Sequence, residues 1–109
     1  MAKYFNENEI KGLKPHFVEW LDTLREALGS PIFINSGYRS PSHPIEAKKE
    51  KPGAHSEGLA VDIRCKNSRD RYKLVSLALS MGCNRVGIAP SFVHIDLSKT
   101  RSKDVIWLY

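Results

Sequence analysis

Two short segments place acids and imidazoles between apolar residues: AVDIR at 60–64 and FVHIDL at 92–97. Both have the length and β-branched content of strands, in which successive side chains point to opposite faces. Val61 and Ile63 then share one face while Ala60 and Asp62 share the other. In the second segment Val93, Ile95 and Leu97 point one way, and His94 and Asp96 the other. A carboxylate buried among apolar neighbours without a partner costs several kcal/mol, so both acids need partners. If the two strands are neighbours, Asp62, His94 and Asp96 converge. His55 precedes Asp62 by seven residues, and Gly58 between them lets the chain turn back tightly. Two histidines and one carboxylate, His55, Asp62 and His94, are a ligand set that Zn2+ accepts with its fourth position open to water, the arrangement of a catalytic centre. The same residues also fit a plainer arrangement, a buried hydrogen-bonded pair of Asp62 and His94 with no metal. Spacing alone leaves both open.

The elements that must position these residues can be read around them. Ile10, Leu13, Phe17, Leu21, Leu24 and Leu28 recur at intervals of three and four, which makes one apolar helical stripe. Pro15 divides it, so the main helix is predicted from about Pro15 to Leu28, with Gly29 as its C-terminal cap. PIFIN at 31–35 reads as a short strand. Residues 36–54 read as a long loop holding Gly37, Pro41, Pro44, Pro52, Gly53 and the run KKEK at 48–51. Loops of this length in small domains are often functional, although the lysine run itself reads as solvated. After AVDIR, Asn67 or Ser68 caps a helix with Tyr72, Val75, Ala78 and Leu79 on one face and a stop at Gly82. RVGI at 85–88 and FVHIDL flank Ala89-Pro90-Ser91 as a β-hairpin, and VIWLY closes the chain as a last apolar stretch. The order α-β-β-α-β-β predicts an α+β fold, with helices packed on one face of a mostly antiparallel, roughly four-stranded sheet.

At 109 residues the chain is read as one domain, 1–109, with a modest core. No apolar run approaches the roughly 20 residues of a membrane span, and the first fifteen residues show no secretory signal. The net charge of +5 suits an anionic partner, either nucleic acid, an anionic wall polymer or an acidic peptide, and equally serves solubility. Against nucleic acid, the basic residues do not cluster on one predicted helix and no nucleic-acid motif is present. Cys65 and Cys83 form no CxxC pattern and read as free thiols. His16 reads as a helix-surface residue and His43 as a solvent-exposed loop residue.

The run from His55 through Gly58 and Ala60 to Asp62 resembles the H-x-x-G-x-A-x-D motif of the zinc D-Ala-D-Ala peptidases, the superfamily that includes the hedgehog signalling domain. Upstream, Ser36-Gly37-Tyr38-Arg39-Ser40 is similar to that family's S-G-Y-R-S segment. Downstream, Gly87-Ile88 and Phe92-Val93-His94-Ile95-Asp96 resemble the ending of its short carboxypeptidase-like branch, which includes phage endolysins. The three motifs occur in family order and span residues 36–96. The resemblance implies that His55, Asp62 and His94 bind zinc, that Arg39 contacts substrate and stabilises the oxyanion, and that Ser36 and Tyr38 lie at the substrate. It also implies a metallopeptidase acting on D-alanine-containing bonds of peptidoglycan, as carboxypeptidase or endopeptidase, with the wall stem peptide as partner; the chain itself is expected to be a monomer.

Two positions depart from the family pattern. Ser91 stands where many relatives carry a catalytic Glu, three residues before the last ligand, and Gly53 stands where a Ser is frequent. The expected proton-transferring acid is then Asp96, which shares the strand face of His94, with Glu57 as the fallback; Asp96 can instead orient a ligand. A substrate outside the cytoplasm, with no export signal in view, leads to the expectation of a phage lysis or virion enzyme, or of a domain from a longer exported protein. The competing readings are a zinc-containing interaction module that does not cut, and a basic nucleic-acid-binding domain.

Overall fold

In the computed structural model, residues 2–38 and 54–109 are described. Helix α1 (Glu7–Ile10) and helix α2 (Pro15–Leu28) lead into strand β1 (Ile34–Ser36). A 3₁₀ turn (Ala54–Glu57), strand β2 (Ala60–Arg64) and helix α3 (Ser68–Ser80) follow. Strands β3 (Arg85–Ile88), β4 (Phe92–Asp96) and β5 (Val105–Leu108) complete the order.

The helices begin and end where their capping chemistry lies. Asn6 and Glu9 form a reciprocal capping box at α1. Pro15 occupies the first turn of α2, where its missing N–H costs nothing. Gly29 closes α2 by donating its N–H to the Arg25 carbonyl. Asn67 caps α3 by accepting from the Asp70 N–H at 2.8 Å. The stripe of α2 is buried as its spacing requires, through Phe17, Leu21, Leu24 and Leu28. Helix α3 meets the core with only half of its expected face: Ala78 lies in the buried cluster and Val75 packs against it. Leu74 and Ala78 are buried, while Tyr72 is 77% and Leu79 43% exposed. Leu74, Ala78 and Met81 form a second stripe of helical spacing, and that stripe meets the core.

Among the described residues the sheet has five strands in the order β1-β2-β4-β3-β5. All neighbouring pairs are antiparallel except β3 with β5, which is parallel. The α+β class and the mostly antiparallel sheet agree with the sequence reading. The strand beyond the four expected is the closing VIWLY segment, which adds to the sheet edge beside β3. Strand β1 begins at Ile34 instead of Pro31, with a bulge between its two pairings, Ile34 with Ile63 and Ser36 with Asp62.

The two faces of the sheet carry different chemistry. Val61, Ile63, Val86, Val93 and Ile95 join Phe17, Leu21 and Leu24 of α2 and Leu74 and Ala78 of α3 in one buried cluster. On the other face one transverse row crosses every strand, running Ser36, Asp62, His94, Gly87, Trp107. No described helix is long and apolar enough to cross a membrane.

Candidate metal centre

The pairing of β2 with β4 sets Asp62 directly opposite His94. Their side chains meet, with His94 Nδ1 2.9 Å from Asp62 Oδ1. His55 arrives from the 3₁₀ turn, and its Nε2 lies 3.4 Å from the same oxygen. Gly58 makes that approach possible. It has φ of 74°, and a Cβ there would fall 2.7 Å from the Gly12 carbonyl oxygen. The Gly58 carbonyl also accepts from the Lys14 N–H at 2.9 Å, which ties the turn to the start of α2.

Each imidazole is held from behind. His55 Nδ1 donates to the Gly37 carbonyl at 2.7 Å. His94 Nε2 donates to Asp96 Oδ2 at 2.6 Å. Each ring therefore turns its other nitrogen toward Asp62, which is how histidine ligands of metals are fixed in one tautomer. One ligand atom from each of His55, Asp62 and His94 lies within 4.8 Å of the other two, so this trio could hold a metal ion. Two nitrogens and one carboxylate oxygen, with both outer nitrogens already bonded, fit zinc in number and type.

The electrostatics point the same way. Burial opposes the charge on Asp62, but hydrogen bonds and positive charge from His55 and His94 outweigh it and hold the carboxyl far below the usual carboxylate range. Burial likewise opposes charge on His94, yet Asp62 and Asp96 together raise its affinity for a proton. Asp96 is lowered against its own burial by His94, the Ser98 N–H and Arg85. A site that draws a proton between two carboxylates attracts a cation by the same field, and metal binding displaces that proton.

Asp96 has 0% exposure. Its oxygens are taken by His94, by Arg85 Nε at 2.7 Å and by the Ser98 N–H at 3.1 Å. Of the two roles open to it from sequence, this placement favours orienting His94. Glu57 sits in the same turn as His55, half-buried, and accepts from the Ser98 hydroxyl at 2.8 Å. Ser36 pairs with Asp62 at the sheet edge, and Tyr38 is partly exposed with its ring against Gly12. Arg39, His43 and Gly53 lie outside the described residues. Ser91 and His16 are exposed. Cys65 and Cys83 are buried free thiols outside the trio.

Three residues of the surroundings escaped the sequence reading. Arg85 is the cross-strand partner of Asp96, a relation visible once the hairpin register is known. Ser98 is buried between Asp96 and Glu57 with no motif to mark it. Trp107 reaches His94 from β5, with ring centroids 5.3 Å apart. A strand paired in parallel to a non-adjacent segment leaves no local signal.

Among known proteins, a family model described as Peptidase M15 matches residues 3–96. No curated protein and no solved structure matches.

Proposed function

The chain belongs to the Peptidase M15 family, and we propose that it hydrolyses a D-alanine-containing peptide bond of bacterial peptidoglycan, with zinc held by His55, Asp62 and His94. The observation that carries this reading is the convergence of those three side chains, each outer imidazole nitrogen already bonded, inside the matched segment. The chemistry supplied by a bound zinc is activation of water and polarisation of the scissile carbonyl.

The chain's own residues divide the remaining work. His55 and His94 each present one nitrogen, fixed by Gly37 and Asp96 respectively. Asp62 contributes the negative charge that balances a cation. Asp96, enclosed and fully bonded, positions His94. Glu57 is the acid we assign to proton transfer, because it shares the turn of His55 and is not enclosed. Arg39 follows Ser36 and Tyr38 in the chain. Its guanidinium, always charged and fork-shaped, is assigned to the developing oxyanion, with Ser36 and Tyr38 as substrate contacts. The partner is the wall stem peptide, and the chain works as a monomer delivered as a phage enzyme or as part of an exported protein.

The exposed Ser91, at the position where many relatives carry their catalytic Glu, favours one other reading: a zinc-containing module that does not cut. One experiment separates the two. Purified protein is analysed for zinc and incubated with peptidoglycan, and the products are read by mass spectrometry. Released D-alanine indicates a carboxypeptidase, and opened cross-links or stem peptides an endopeptidase. Bound zinc with an unchanged wall indicates the module. Zinc-free protein that still cuts would remove the metal assignment. In an active preparation Arg39→Lys should keep zinc and fold while losing about 10²-fold in turnover, the scale of a single oxyanion donor.

A further inference from the structure

The family match ends at residue 96, and β5 begins nine residues later at Val105. Yet β5 delivers a side chain to the metal centre. Trp107 lies in the transverse row of Asp62 and His94, separated from His94 only by Gly87 of β3. A Cβ on Gly87 would fall 2.6 Å from Trp107 Nε1 and 2.7 Å from Tyr109 Cε2. The absent side chain is therefore what lets the indole cross β3 and reach the imidazole. The two ring centroids are 5.3 Å apart, with planes inclined at 50°.

A second connection closes a circuit. The Arg85 guanidinium lies over the Trp107 ring, 5.1 Å from its centroid. Arg85 Nε bonds Asp96 Oδ1 at 2.7 Å, and Asp96 Oδ2 bonds His94 Nε2 at 2.6 Å. His94, Asp96, Arg85 and Trp107 thus form a closed ring of contacts. A hydrogen bond at Nε2 fixes the tip of the imidazole but leaves rotation about the axis through that tip. Asp62 limits the rotation from the β2 side, and a flat aromatic limits it from the β5 side.

We propose that Trp107 is a positioning residue for His94, with Gly87 as the gap that admits it and Arg85 as the brace that holds it to Asp96. The metal-binding part of this inference rests on the proposed zinc site; the ordering of the imidazole does not.

The test uses the full chain in two states. In metal-free protein, the side-chain nitrogen and proton resonances of His94 are recorded for the wild type, Trp107→Ala, Trp107→Leu, Trp107→Phe and Gly87→Ala. Zinc affinity of the same proteins is measured by competition with a chromophoric chelator. The wild type should show one protected Nε2–H signal. The signal should broaden or vanish in Trp107→Ala, Trp107→Leu and Gly87→Ala and persist in Trp107→Phe. Zinc affinity should fall about 10-fold to 100-fold in the first three, the usual effect of losing a residue that supports a ligand, and recover in the Phe variant. Should the Ala variant fail to fold, the bulk-retaining Leu variant decides. A folded Ala or Leu variant with a wild-type His94 signal overturns the proposal, as does lowered thermal stability alone. A wild type that binds no zinc while the His94 signal still depends on Trp107 overturns the metal reading and leaves the positioning role standing.

Discussion

On β4, Ile95 and His94 are adjacent in sequence and belong to two different kinds of structure. Ile95 lies in the cluster under α2 and α3, where Phe17, Leu21, Leu24, Val61 and Val86 share the packing. His94 lies on the other face, where each ring nitrogen meets one named acid. The apolar face is non-directional, and its energy is spread over many contacts, so the loss of one side chain is felt as stability. The polar face is directional and its members act as a unit, so the loss of one is felt as chemistry. The same five residues of strand serve both because side chains alternate.

Replacing each of the two neighbours tests this contrast at its largest. His94→Ala should abolish zinc binding and with it hydrolysis, read by elemental analysis and wall digestion. Ile95→Ala should keep stoichiometric zinc while losing about 2–5 kcal/mol of stability in chemical denaturation. If Ile95→Ala released the metal as completely as His94→Ala, the two faces would not be separable and the contrast would fail.

Within the polar face, a second division separates acids that face the reaction from acids that hold its ligands. Glu57 belongs to the first group in our reading. Glu57→Gln should retain zinc and lose about 10²-fold to 10⁴-fold in turnover, the range of general acid–base catalysis. The amide keeps an oxygen for the Ser98 hydroxyl, so the fold should be unaffected. Single-turnover rates alongside zinc titration check this, and a Gln variant at full rate would remove Glu57 from the reaction.

Asp96 belongs to the second group in the same reading. Asp96→Asn should lower zinc affinity by about 10-fold to 100-fold, because an amide cannot both accept from His94 and satisfy Arg85 and the Ser98 N–H as the carboxylate does. Its turnover at saturating zinc should stay near that of the wild type. A variant with normal affinity and a collapsed rate would reverse the assignments of Asp96 and Glu57.

What could be read from sequence follows the range of the interactions involved. Asp62 and His94 stood out because a period of two puts polar residues on one face of an otherwise apolar strand, and a local pattern is enough to show that. His55 stood out through Gly58, whose positive φ is a local backbone property. The ring of contacts behind His94 was not legible. Arg85 reaches Asp96 through hairpin register, and Trp107 reaches His94 only after β5 has joined β3 from a distant part of the chain. The burial of Leu74 in place of Tyr72 and Leu79 had the same origin. Two stripes of α3 have helical spacing, and the position of α2 beside it decides which one is covered. Local periodicity names candidates, and long-range packing chooses among them.

The smallest effect is expected from the cysteines, which are buried in the apolar cluster and take no part in the polar face. Cys65 Sγ bonds the Asn67 carbonyl, and Cys83 Sγ bonds the carbonyls of Arg85 and Asp96 at 3.3 and 3.5 Å. The last two are backbone oxygens of β3 and β4, and none of the three is the carboxylate that holds His94. Burial is the largest influence on both thiols and pushes each above its ordinary value of 9.0. A group that holds its proton more tightly when folded stabilises the fold fully below its unfolded pKa, and that contribution fades as pH rises through the folded one. The wild type should therefore lose stability as pH climbs above about 9, and a Cys65→Ser, Cys83→Ser double variant should lose less over the same range. Serine hydroxyls can donate to the same carbonyls, so zinc content and turnover at neutral pH should match the wild type. Denaturation curves at several pH values, with zinc analysis of the same samples, check both halves. Loss of zinc in the double variant would mean that the hydrogen bond from Cys83 to the Asp96 carbonyl helps to hold the metal centre, and the boundary drawn here between packing and chemistry would have to move to include it.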